Sequence, residues 1–222
     1  KIDTTDSYNV TKIDITGIIR RRAHSMVAIE SNIYIFGGYG DGGPLNDFYK
    51  IDTSTYVVTK ITLTETDTIV ERYIHSMVAI ENNIYIFGGN DGAVGLNDFC
   101  KIDLLTINSS TNSVNVNVLK NSLTGSDTIT GRFSYSMVAI EEDIYIFGGI
   151  KSTESINETT DEFYKITGYN FNVKLSKKTF TGFDLNYKYN TSIVAIESNI
   201  YIFGGRAPYA STFFNDFYKI DT

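Results

Sequence analysis

The fifteen residues from His24 to Gly38, HSMVAIESNIYIFGG, return three more times, at His75–Gly89, Tyr135–Gly149 and Thr191–Gly205. Self-similarity at a fixed period constrains a fold more than any single motif, because each copy must be one small unit that buries its faces against its neighbours. The double glycines Gly37-Gly38, Gly88-Gly89, Gly148-Gly149 and Gly204-Gly205 are spaced by 51, 60 and 56 residues. A second string follows each pair. It reads NDFYKID from Asn46, NDFCKID from Asn97, DEFYKI from Asp161 and NDFYKID from Asn215.

Each copy reads as four short strands: SMVAI, IYIF, DFYKI and a looser, more polar fourth such as Tyr56 to Ile61. In the second strand Ile33 and Ile35 point one way and Tyr34 and Phe36 the other, so both faces are apolar and need cover from flanking sheets. Ala28, Ala79, Ala139 and Ala195 place a small side chain in the first strand, where sheets packed around an axis converge. These features predict an all-β, four-bladed β-propeller of four-stranded antiparallel blades, with 1–222 forming a single domain. Lys1 to Asp3 matches the end of a third strand and Tyr8 to Ile13 a fourth, while the last copy supplies strands one to three and stops at Thr222. Pairing the two ends would complete the last blade and close the ring. A cut of any whole number of repeats from a longer array would give complementary ends too.

The chain resembles kelch repeats, which carry Arg-x-x-His-Ser at the start, a hydrophobic strand ending in Gly-Gly, and Asn-Asp-x-Tyr in the third strand. Arg21 to Ser25 and Arg72 to Ser76 match this pattern. The third copy keeps Arg132 but has Tyr135 for histidine, and the fourth has Lys188 and Thr191. The family's fourth-strand tryptophan is missing, with Val10, Val58 and Val173 in its place. The resemblance covers nearly the whole chain and implies a propeller that holds a partner protein or peptide.

Composition removes several function classes. A net charge of −7 argues against nucleic acid, whose binders present a dense basic face. The one basic run, Arg20-Arg21-Arg22, shares a residue with the repeat. A single cysteine, Cys100, allows no internal disulfide and stands where other copies have tyrosine, as a core filler would. No apolar run reaches the roughly 20 residues of a membrane span, so membrane insertion is not expected. Sequons at Asn9, Asn108, Asn157 and Asn190 are about as many as chance gives in a chain this rich in Asn, Ser and Thr. Cytoplasmic and extracellular placement both fit.

No catalytic or metal set is expected, and no cofactor. The two histidines, His24 and His75, hold the same repeat position, as structural residues would. Arg21, Arg72, Arg132 and Lys188 form one ring of like positions, and Asp47, Asp98, Glu162 and Asp216 another of opposite sign; paired, they could tie blades together. Glu30, Glu81, Glu141 and Glu197 cap the first hairpins as an acidic ring, where a calcium site is a minor alternative to solvated turn acids.

The copies diverge after Gly-Gly, where the loops read YGDGGPL, NDGAVGL, IKSTESINETT and RAPYASTFF. A rigid frame with divergent loops is how binding sites are grafted onto folds. Arg206, Tyr209 and Phe213 are the expected anchors, with Tyr39, Asp41, Asn90, Asp91, Lys151 and Glu154 as polar contacts around them. The expected function is a non-enzymatic protein-binding or scaffolding module. A carbohydrate- or surface-binding or assembly module is the alternative, and a kelch-type enzyme the third reading.

Overall fold

The computed structural model describes residues 10–64, 69–118, 123–124, 127–152, 157–168, 173–180, 188–207 and 212–222. Four copies of one antiparallel sheet follow each other along the chain. The inner strands are Ser25–Ile29, Ser76–Ile80, Ser136–Ile140 and Ser192–Ile196. Each turns back through a tight hairpin into a second strand, Asn32–Phe36, Asn83–Phe87, Asp143–Phe147 or Asn199–Phe203. The hairpin glutamates Glu30, Glu81, Glu141 and Glu197 all sit at left-handed φ between 51° and 54°, as a two-residue hairpin loop demands. The third strands, Phe48–Asp52, Phe99–Asp103, Phe163–Thr167 and Phe217–Asp221, pair with the second in one register, so that Phe36 faces Phe48 and Phe87 faces Phe99. Outer strands Val58–Thr64, Ser113–Val118 and Val173–Lys178 complete the first three blades.

The inner strands pack on one another in chain order, first on second, second on third and third on fourth. Each seam has the same chemistry. Aromatics from the trailing face of one blade meet aliphatics from the leading face of the next: Tyr34, Phe36 and Phe48 against Met77, Ile84, Ile86 and Ile102 in the first seam. Tyr85, Phe87 and Phe99 meet Met137, Ile144, Ile146 and Ile166 in the second, and Tyr145, Phe147 and Phe163 meet Ile200 and Ile202 in the third. In the second and third blades the two-sided apolar second strand read from sequence is therefore covered from both sides. Cys100 is fully buried on the leading face of the second blade, as its filler role required.

Two features depart from the sequence reading. The outer strands of the first two blades join in parallel, Thr62 to Thr64 beside Ser113 to Asn115, so these blades share one eight-stranded sheet. Ring closure by the N-terminal segment is not made by its described part: residues 10–13 form no strand and Val10 is 95% exposed. Residues 1–9 lie outside the described residues. Among the described residues the fourth sheet has three strands, and no packing like that between successive inner strands joins the last to the first. Of the valines in the tryptophan slot, Val173 is fully buried and Val58 half-buried, while Val10 reaches no core.

Candidate binding face

The residues before each inner strand and those after each Gly-Gly pair meet on one face of the molecule. Arg22 bridges Tyr39, Tyr73 bridges Asn90, Phe133 pairs with Ile150, and Tyr189 bridges Arg206. The glycines make this crossing possible. Gly38, at φ +99°, would drive a Cβ to 2.9 Å from the Arg22 carbonyl and from His24 Cβ. Gly37 would drive one to 2.7 Å from the carbonyl of Arg72, which belongs to the next blade.

That contact shows what the basic ring does. The Arg72 side chain stays within its own blade, donating to both Asp98 carboxylate oxygens at 2.7 and 2.6 Å and to the Gly88 carbonyl at 3.0 Å. Its backbone serves the blade before: the Gly38 N–H donates to the Arg72 carbonyl at 2.8 Å, and the Arg72 N–H to the Leu45 carbonyl at 2.9 Å. Arg132 repeats the pattern with Glu162, Gly89 and Leu96. Arg21 and Lys188 keep the acid partner, Asp47 and Asp216, at 2.5 and 2.6 Å. The ion pairs fix the arginine inside a blade, and the arginine's backbone staples that blade to its predecessor. Burial alone would push Glu162 up, but hydrogen bonds from Lys177 and Arg132, with Lys151 nearby, hold it at about 2.

On this frame the expected contact residues fall into three groups. Tyr39 is half-buried, with the Arg22 guanidinium 4.8 Å above its ring and Tyr73 edge-on at 5.1 Å. Asp41 is exposed and holds Arg20 at 2.8 Å, and with Arg21 and Gly40 these residues line an open hollow. This is a compact patch spanning the first two blades. On the fourth blade Arg206 lies over both Tyr189 and Phe213, at 6.0 and 5.8 Å, with Phe213 75% exposed.

The third group is occupied with the protein's own structure. Asn90 accepts from the Gly92 N–H, and Asp91 from the Ala93 and Val94 N–H groups, so both carboxyl and amide shape their own loop. Lys151 sits between Glu162 at 3.6 Å and Glu158 at 4.0 Å. Tyr209 and Glu154 lie outside the described residues. Sequence reasoning passed over Arg20, Arg22, Tyr73 and Tyr189. The position after the repeat's basic residue is large in every copy, reading Arg22, Tyr73, Phe133 and Tyr189, and that was the available signal. Among the described residues no group of three or more His, Cys, Asp or Glu is placed to hold a metal ion, and no helix is long and apolar enough to cross a membrane.

Comparison with known proteins agrees with this geometry. The KLHDC2/KLHL20/DRC7 kelch-repeats domain profile matches residues 2–121, more than half of the chain. The chain belongs to the kelch-repeat family. Kelch domain-containing protein 3 of Bos taurus is 25% identical over 216 residues, covering 92% of this chain and 52% of that protein. A protein of Thlaspi arvense named N-(sulfonatooxy)prop-2-enimidothioate sulfolyase is 25% identical over 193 residues, covering 84% of this chain and 52% of its own. A probable serine/threonine-protein kinase of Dictyostelium discoideum is 29% identical over 129 residues, 57% of this chain and 9% of its own. The chain thus spans about half the length of the first two of these relatives.

Proposed function

We propose that this chain is a non-enzymatic binding module, one domain that holds a partner protein or peptide across the loop face. The observation that carries the reading is the Arg22–Tyr39–Tyr73 patch together with Arg206 and Phe213: arginine stacked on aromatic rings, partly exposed, on loops that differ from copy to copy while the frame beneath stays constant. Arginine and aromatic side chains are the residues most often found as binding hot spots, since they combine large apolar area with directional polar contacts. Arg20 is paired to Asp41; Arg22 and Arg206, which lie over aromatic rings, give these patches local positive charge on a chain of net charge −7, which favours a partner segment carrying both carboxylates and apolar side chains. Kelch repeats commonly bind proteins, which supports the same reading. Tyr209 and Glu154, read from sequence as further contacts, belong to this proposal on sequence alone.

The test is affinity capture with the whole chain as bait, followed by titration of the captured partner. Tyr39→Ala and the pair Arg206→Ala, Phe213→Ala should each weaken binding by about tenfold or more, in line with losses of 1–2 kcal/mol at hot spots. Asn90→Ala, whose side chain serves its own loop, should change it little. Capture unaffected by all the loop variants would defeat the proposal, as would turnover of a small substrate that depends on this face.

A further inference from the structure

Six arginines occur in the chain, and four of them hold a carboxylate: Arg20 on Asp41, Arg21 on Asp47, Arg72 on Asp98 and Arg132 on Glu162. Among the described residues Arg22 and Arg206 meet no carboxylate. Both are exposed, and both lie over aromatic rings, Arg22 at 4.8 Å from the Tyr39 centroid and Arg206 at 6.0 and 5.8 Å from those of Tyr189 and Phe213. A guanidinium held over a ring keeps its N–H donors for a partner and loses less freedom when the partner binds.

The two arginines stand at the ends of one arc. The Ile74 N–H donates to the Ala23 carbonyl at 2.9 Å, the Ser134 N–H to Ile74 at 3.4 Å and the Asn190 N–H to Ser134 at 2.9 Å, a backbone chain that steps once per blade. The residue before each member of this chain is the one that bridges to its own loop: Arg22, Tyr73, Phe133 and Tyr189. These four therefore follow one another across the loop face in blade order, and Tyr189 bridges onward to Arg206. Between the arginines the arc is aromatic and apolar, with Tyr73, Phe133 and Tyr189 half-buried and Ile150 paired to Phe133. Backbone segments joined by a hydrogen bond lie about 5 Å apart, so three steps make an arc of about 15 Å, the reach of about five residues of extended chain.

We infer that this arc takes an extended segment of a partner protein that carries a carboxylate at each end, about five residues apart, with apolar side chains between. The inference rests on the binding-module reading and adds to it the order of the chemistry along the face. Each guanidinium donates to one carboxylate, and neither has to give up an acid of its own to do so. The apolar side chains of the segment lie on Tyr73, Phe133 and Tyr189 and bury what the fold leaves of those rings in contact with water.

A random-peptide phage library panned over the whole chain should enrich sequences with two Asp or Glu about five positions apart and apolar residues between them. Binding of the synthesised peptide, followed by fluorescence anisotropy, should fall by about tenfold or more for Arg22→Glu and for Arg206→Glu. Both positions are exposed and outside any ion pair, so circular dichroism should show both variants folded. A lysine in place of one peptide acid should restore binding to one variant only, and a lysine in place of the other acid to the other variant, which a loss of structure would not do. Enriched peptides without acids, a selection that yields no binder, or losses that neither lysine peptide rescues would each overturn the inference. Acid-free peptides that are still lost on Tyr39→Ala would leave the binding-module reading standing, whereas binding that withstands every loop substitution would remove that reading as well.

Discussion

His75 and Tyr135 fill the same slot in successive seams, yet only the tyrosine is hydrogen-bonded. The Tyr135 hydroxyl donates to the Phe87 carbonyl and accepts from the Ser76 N–H at 3.0 Å, and burial raises its pKa. His75 packs edge-on against Phe36, and neither ring nitrogen has a hydrogen-bond partner. Burial first, then the charges of Arg72 and His24, push it down to about 3, with the Phe36 carbonyl opposing weakly. The folded chain therefore keeps His75 neutral, while the unfolded chain takes up a proton below about 6.5. Unfolding then binds a proton, so stability falls as pH drops from 6.5 toward 3. Between pH 7 and pH 5 this one group should remove about 2 kcal/mol. Urea titrations of the wild type and of His75→Tyr, the residue the third copy uses, should show the slope in the first and its loss in the second. Equal slopes would mean that the ring finds a proton acceptor or water in the folded state.

At the scale of the blade, the double glycine decides how closely the next sheet can come. A Cβ at Gly88 would lie 2.7 Å from the Arg132 carbonyl, 3.2 Å from the Leu96 carbonyl and 3.3 Å from the Tyr135 ring. At Gly204 the nearest atom is 3.4 Å away. Both have positive φ, 54° and 70°, so alanine costs about 1–2 kcal/mol at either through the backbone alone. Gly88→Ala must in addition part a seam, at about 1–3 kcal/mol more. Thermal melts at low concentration should place Gly88→Ala well below Gly204→Ala; equal losses would show that the glycines serve only their own turns. The glycine pairs and alternating apolar residues made the strands, their hairpins and the two-sided second strand legible in the sequence. The parallel junction at Thr62 to Thr64 was not, because the outer strands share too little sequence for a pattern to appear. The loop that carries Arg206 and Phe213 was legible from its divergence after Gly-Gly, but the stacking of Arg206 on Phe213 and the internal duties of Asn90, Asp91 and Lys151 depend on loop geometry that residue types do not encode. The exposure of Phe203 and Phe217 was equally illegible, since both positions carry the same residues as their buried counterparts.

For the whole molecule, packing only between neighbours makes stability a chain of blade and seam contributions. The second blade is held on both sides, with Ile84, Ile86, Phe87, Phe99 and Ile102 fully buried. Among the described residues the fourth has one seam and three strands, with Phe203 and Phe217 exposed. Removing it breaks one interface, whereas opening the second blade breaks two, so the free energy of local opening must rise from the fourth blade toward the middle. Native-state hydrogen exchange on the whole chain should find the amides of Asn83–Phe87 protected near the global limit. Those of Asn199–Phe203 should exchange orders of magnitude faster, since each kcal/mol less in opening energy is about a fivefold rate. Uniform protection across all four blades would contradict the one-sided packing from which the gradient follows.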